Sequence, residues 1–256
     1  MDARTPRAQH AVMDAWQGGA IGVVFVLAGG VKGITGMGLP TVAVSLLGLW
    51  MAPAQAAALL VLPSLATNLA QCRGPQGRRL AAMLWPAWLT LAVVTVWAPD
   101  VGRTDGPIGP HRLLGAVLVV YGLWGWWRPV LPNLAPRAKS IGACVGVATG
   151  LVTATTAVFV VPLVPYLQAL RLDKDAMVQA LGLSFTIATL ALALRLQASP
   201  AGLTLLSAAS AWALAAAFAG LWLGAKVRGR LSGPSFQRAL MVVFIGLGLA
   251  NLLRSA

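Results

Sequence analysis

The sequence contains no glutamate. Its only acids are six aspartates, Asp2, Asp14, Asp100, Asp105, Asp173 and Asp175, and its only histidines are His10 and His111. All of these fall in the N-terminal segment, between apolar runs, or at the edge of one. An intramembrane metalloprotease needs an HExxH-like ligand set, and a serine protease needs a base beside its nucleophile. Peripheral groups supply neither, so the chain reads as a non-enzyme. Paired axial histidines for a haem are missing as well. Cys72 and Cys144 have no metal-ligand spacing and read as small apolar helix residues, so no metal and no cofactor is expected. Carriers driven by protons or cations usually keep ionisable residues inside their spans. None of acidic type is expected there in this chain.

Charge in general is scarce. Only 10% of the 256 residues are charged and 58% are hydrophobic, with a mean hydropathy of +0.79, whereas soluble domains carry about 25% charged residues. Too little polar surface is left to coat a water-facing globule. Continuous apolar runs of roughly 20 residues, the length that crosses about 30 Å of hydrocarbon, exclude a β-barrel, whose strands alternate every second residue. The fold class expected is an all-α, polytopic membrane protein of about eight transmembrane helices. The net charge of +13 is spread over short loops beside expected lipid headgroups, with no basic domain to grip nucleic acid. "MDARTPRAQHAVMDAWQGG" lacks a signal-peptide h-region and cleavage site, so the first apolar run is expected to stay in the mature protein.

Candidate spans run over about 20–49, 54–72, 80–98, 111–128, 140–170, 175–196, 202–225 and 237–253. The first is too long for one span and is interrupted at "GMGLP"; the fifth is interrupted at "TGLVTATT" and "VPLVP". Two long broken spans, each followed by three ordinary ones, read as an internal repeat. "VKGITGMG" aligns with "ATGLVTAT", placing Gly33 over Gly150, and "SLATNLA" aligns with "TIATLAL". The expected organisation is an N-terminal segment, 1–19, then four-helix repeats at 20–130 and 139–254 within one integral membrane unit. Four spans per repeat would give both halves the same orientation. With the N-terminus inside, ten basic residues fall on the cytoplasmic side and eight on the other, and "KVRGR" (226–230) falls on the outer side. On that count the protein is a multi-pass protein of the cell (cytoplasmic or inner) membrane with a cytoplasmic N-terminus. GxxxG spacings at Gly29/Gly33, Gly142/Gly146/Gly150 and Gly220/Gly224 let helix backbones approach closely, and a homo-oligomer stays among the admissible partners.

Inside the spans one cation remains, together with hydroxyls, amides and helix breaks. Lys32 stands in "AGGVKGITGMGLPT", flanked by Thr35, Gly36, Gly38 and Thr41, and Pro40 suits the first turn of a resumed helix. The break expected in the second half, 150–156, offers Thr149, Thr153, Thr155 and Thr156. Asn68, Gln71, Gln179 and Ser184 are lesser candidates. A resumed helix N-terminus has unpaired N–H groups and a partial positive charge, both of which favour an anion. The site expected is a dry pocket for a small anionic substrate where the two breaks meet. A supporting membrane subunit that docks a partner through basic loops is the alternative.

"GGVKGITGMGLPTVAVSLL", the duplicated four-span layout and the tail "GLWLGAKVRGRLSGPSFQRALMVVFIGLGLANLL" together resemble the TauE/SafE family of membrane permeases, also called the toluene sulfonate uptake permease family. The resemblance covers essentially the whole chain. It implies a secondary transporter that moves sulfite, an organosulfonate or another small organic anion across the bacterial cytoplasmic membrane. Two features depart from the family pattern: its adjacent glycines are here "TGMGLP", and the second copy, "TATTAVFVVP", has none.

Overall fold

A computed structural model describes residues 15–99, 109–127, 129–231 and 233–253. Among them every regular element is helical. The first half comprises α1 (Ala15–Thr35), α2 (Leu39–Leu47), α3 (Pro53–Gln71), α4 (Gly77–Trp97) and α5 (Pro110–Trp127). The second comprises α6 (Ala138–Thr156), α7 (Leu163–Ala169), α8 (Lys174–Gln197), α9 (Ala208–Leu231) and α10 (Pro234–Leu253). Seven of these helices, α1, α3, α4, α6, α8, α9 and α10, are long and apolar enough to cross a membrane. The 18-residue α5 is not among them, because it spends its first turn on Pro110, His111 and Arg112.

Large apolar side chains point outward along the bundle, including Val23 and Leu27 on α1, Leu89 and Val93 on α4, Leu190 and Leu194 on α8, and Val242 and Val243 on α10. An exterior of this kind is stable against acyl chains and not against water. The centre is formed by α3 and α8, the two long helices most enclosed by the rest. Around them α1 packs on α9, α6 on α4, and α5 on α10. Exchanging the halves maps the set onto itself: α1 with α9 becomes α6 with α4, α3 with α9 becomes α8 with α4, and α5 with α10 is its own counterpart.

Side-chain proximity fixes the direction of each helix. Gly29 lies against Ala217 and Gly33 against Leu221 and Ala225, so α1 and α9 are parallel. Gly146 meets Ala87 and Gly150 meets Leu91, so α6 and α4 are parallel too. Gly115 meets Gly248 and Gly122 meets Met241, making α5 and α10 antiparallel. Gly182 against Gln71 and Ser64 against Thr189 set α8 antiparallel to α3. The ends of α1 and α3 lie together, since Gln71 Nε2 donates to Gly36 O at 2.6 Å. From there α2 turns back: Gly38 shares a cavity with Gly125 near the end of α5, while Gly48 abuts Leu114 near its start. Similarly, α7 returns toward the start of α6, where Tyr166 Oη donates to Ala138 O at 2.7 Å and Leu134 N to Ala169 O at 3.0 Å.

The long first and fifth runs are therefore hairpins of a full helix and a short returning one. Each half makes five traverses, and an odd number reverses the sense of the second half. The expectation that both halves share one orientation does not hold, because α2 and α7 add a traverse that a count of four spans omits. We call the end of the bundle where α1 begins the first face, and the end where it stops the second face.

The first break lies where the sequence places it, at 36–38, where Gly36 and Gly38 have φ of 83° and 99°, a region glycine enters at little cost. The second lies later than "TGLVTATT" and runs into the other signal, "VPLVP". Residues 150–156 are helical, and the chain leaves α6 only at Ala157, before Pro162. The threonines that signalled a break bond to their own helix: Thr153 Oγ1 to Thr149 O (2.7 Å), Thr155 Oγ1 to Leu151 O (3.0 Å) and Thr156 Oγ1 to Val152 O (2.7 Å). "KVRGR" also differs from its expected place in a loop, because α9 continues through it to Leu231.

Candidate functional site

Lys32 occupies the last turn of α1 and is 2% exposed. Its Nζ donates to Thr67 Oγ1 at 3.0 Å and to Asn68 Oδ1, both on α3. These acceptors are neutral, and Lys32 meets no carboxylate among the described residues. The C-terminal end of a helix dipole favours a cation at this position. Polar contacts continue inward: Asn68 Nδ2 donates to Ser64 Oγ (3.1 Å), Ser64 and Thr189 share a hydrogen bond (3.1 Å), and Thr189 Oγ1 donates to Phe185 O (2.6 Å). A buried polar line thus runs from α1 through α3 into α8.

The turn after Lys32 is held from three sides. Thr35 Oγ1 lies 2.9 Å from Val31 O and 2.8 Å from Met37 O, and accepts from Met37 N at 3.2 Å. Gln71 ties down Gly36 O, and Arg228 Nε of α9 donates to Ile34 O at 3.0 Å. A cation and an amide from neighbouring helices thereby satisfy carbonyls that the end of α1 leaves open. Chain direction then reverses into α2, whose N-terminus at Gly38 has no side-chain cap and whose early proline is Pro40. Thr41, in the first turn of α2, is fully buried, and its hydroxyl has no partner among the described residues.

Beside this turn is a cavity of about 280 Å³, near the lower end of the range for small-molecule pockets. Thr35, Met37 and Gly38 form one wall, Tyr121 and Trp124 of α5 another, and Gln168 of α7 a third; Gln237 and Phe244 of α10 close it. Lys32 does not line the cavity, because its ammonium group turns toward α3.

The structure gathers Lys32 and Asn68 into direct contact and sets Thr35, Gly36, Gly38 and Thr41 at the break beside them. It does not bring Thr153, Thr155 and Thr156 there: they lie at the first-face end of α6. The segment of the second half that reaches the first break is α7, through Val164, Pro165 and Gln168. Gln179 is occupied elsewhere, since it donates to Cys72 O (3.0 Å) and Gly74 O (2.9 Å) and accepts from Gln76 N (3.2 Å), securing the turn between α3 and α4. Ser184 accepts from Trp88 Nε1 at 2.8 Å. Sequence reasoning missed Thr67, Gln168 and the aromatic walls. The rings of α5 sit near a helix end, where they read as an interfacial belt.

Of the aspartates, Asp173 caps α8 by accepting from Ala176 N at 2.8 Å, and Asp175 stands in the first turn of that helix. Ala176 N–H, with help from the Gln76 amide, holds the Asp173 carboxyl below its ordinary range. Asp2, Asp14, Asp100 and Asp105 lie outside the described residues, as does His10.

Compared with known proteins, residues 21–251 match the family model described as sulfite exporter TauE/SafE. No curated protein and no solved structure matches the chain.

Proposed function

The chain belongs to the sulfite exporter TauE/SafE family and is a multi-pass membrane transporter of the sulfite or anion type; on that premise we propose that it is a secondary transporter for one small oxyanion, sulfite or a small organic sulfonate, recognised at the α1–α2 break. The observation that carries this reading is Lys32. A buried ammonium group held, among the described residues, by a hydroxyl and an amide oxygen meets no opposite charge there in a low-dielectric interior. A monovalent or divalent anion compensates it. The uncapped N-terminus of α2, with the free Thr41 hydroxyl, adds neutral donors a few residues away in the chain. Asn68 and Thr67 position the ammonium group, and Thr35 shapes the turn. The alternation of chain sense between the halves fits a duplicated origin for 20–130 and 139–254, with α2 and α7 as equivalent returning helices.

Reconstitution in liposomes tests the reading. Flux of radiolabelled sulfite or a small sulfonate is expected above that of empty vesicles and is expected to fall in the Lys32→Met protein. Equal flux in vesicles with and without protein, for every anion of a panel, would reject transport of this class.

A further inference from the structure

The reversal of the second half redistributes the basic residues. Following the helix directions, the described Lys and Arg at the second face are three in 73–79, two in 137–139, two in 171–174, three in 226–230, and Arg238, eleven in all and every one exposed. The first face has two, Arg112 and Arg195. Arg195 turns back onto the end of α4, donating to Ala98 O at 2.7 Å. Basic residues outside the described segments are Arg4, Arg7, Arg103, Arg128 and Arg254. Were all five credited to the first face, eleven would still oppose seven. The ten-to-eight balance obtained on eight passes came from sorting loops by the wrong parity. With α2 and α7 counted, "KVRGR" joins the other basic segments instead of opposing them.

Short basic segments close to helix ends stay on the cytoplasmic side, where anionic headgroups attract them. We infer that the second face is the cytoplasmic face, held against anionic phospholipid, and that α1 begins and α10 ends on the opposite side of the membrane. This replaces the cytoplasmic N-terminus expected from eight passes. It also gives the break a side: Lys32, the α1–α2 turn and the adjoining cavity all lie toward the cytoplasm, so the conformation described presents that cavity inward.

Cysteine accessibility tests the orientation independently of any substrate. In a Cys72→Ala/Cys144→Ala background, single cysteines are placed at Leu206, which is 88% exposed beyond the first-face end of α8, and at Gly229 and Arg137 on the second face. A membrane-impermeant maleimide added to intact spheroplasts is expected to label Leu206→Cys, and to label Gly229→Cys and Arg137→Cys only after permeabilisation. The reverse pattern, or labelling of both faces in intact spheroplasts, overturns the inference. A second measurement keeps native cysteines. Alkaline phosphatase fused after residue 256 is expected to be active and green fluorescent protein at the same position dark; an inactive phosphatase with a bright fluorescent fusion overturns it equally.

Discussion

Replacing Lys32 with methionine separates the charge of this residue from its volume. At 4 Å and an effective dielectric of about 20, two unit charges attract by about 4 kcal/mol, and desolvation removes part of that. Hydrogen bonds to charged groups contribute about 1.5–3 kcal/mol net. Loss of the ammonium group should therefore weaken anion binding roughly 10- to 150-fold. The cost to folding is small by comparison. Thr67 Oγ1 and Asn68 Oδ1 both lose the lysine donor, but Thr67 Oγ1 still donates to Pro63 O at 2.8 Å and Asn68 Nδ2 to Ser64, so only the Asn68 Oδ1 atom is left without a bond. That orphaned acceptor costs about 1–3 kcal/mol, offset by no longer burying a charge. Isothermal titration of the purified protein with sulfite, alongside its melting temperature in detergent, reads both quantities. Lys32→Arg should retain part of the affinity because the charge remains. Binding by Lys32→Met within twofold of the unaltered protein, with an unchanged melting temperature, would refute the electrostatic account and leave Lys32 as a packing residue.

Further outcomes follow from the same contacts. Gly29→Ala sets a Cβ into the Ala217 carbonyl and should lower stability by about 1–3 kcal/mol, the usual cost of overpacking; Gly246→Ala, with nothing within 4 Å, should not, and thermal unfolding in detergent compares the two. Gln71→Leu leaves Gly36 O without its donor, so hydrogen exchange at residues 34–38 should accelerate while the rest of α1 stays protected. Asp173→Asn and Asp175→Asn should each retain most of the flux, because both residues serve the start of α8. The depressed Asp173 carboxyl stabilises the fold above its unfolded pKa, and that contribution fades on acidification through the lower folded value, so the melting-temperature difference between Asp173→Asn and the unaltered protein should narrow in acid.

Much of this arrangement is legible in the sequence where one short-range rule dominates. Apolar runs mark the long helices, and the glycines at 36 and 38 mark the first break because that turn requires positive φ. The second break is misplaced in the sequence because threonine is ambiguous. Its hydroxyl can line a cavity or bond the preceding turn, and in Thr153 and Thr156 it bonds the turn. The returning helices are invisible to hydropathy, since α2 has nine residues and α7 seven, continuous in composition with their neighbours. Missing α2 reverses every loop between it and α7, and missing α7 cancels that reversal beyond it, so the basic segments at 73–79 and 137–139 are sorted apart from those at 171–174 and 226–230. Lys32 stands out as an isolated charge, and Asn68 was within reach as a polar residue in an apolar run. Gln179 looked the same by that criterion, and only tertiary contacts distinguish an amide beside a cation from one that latches a turn.

The glycine contacts also constrain mechanics. Where Gly29 and Gly33 lie on α9, main chain rests on main chain, and where Gly146 and Gly150 lie on α4, they meet the Ala87 and Leu91 carbonyls together with the Thr90 and Val94 side chains. Such joints resist both separation and sliding, since a small slip drives Cβ atoms into carbonyls. Each joint links opposite halves of the chain, α1 to α9 and α4 to α6. The halves are cross-braced like two interlocked frames. Rocking one half as a rigid body against the other would have to tear both braces, so a transport cycle that keeps them intact must move pairs drawn from both halves.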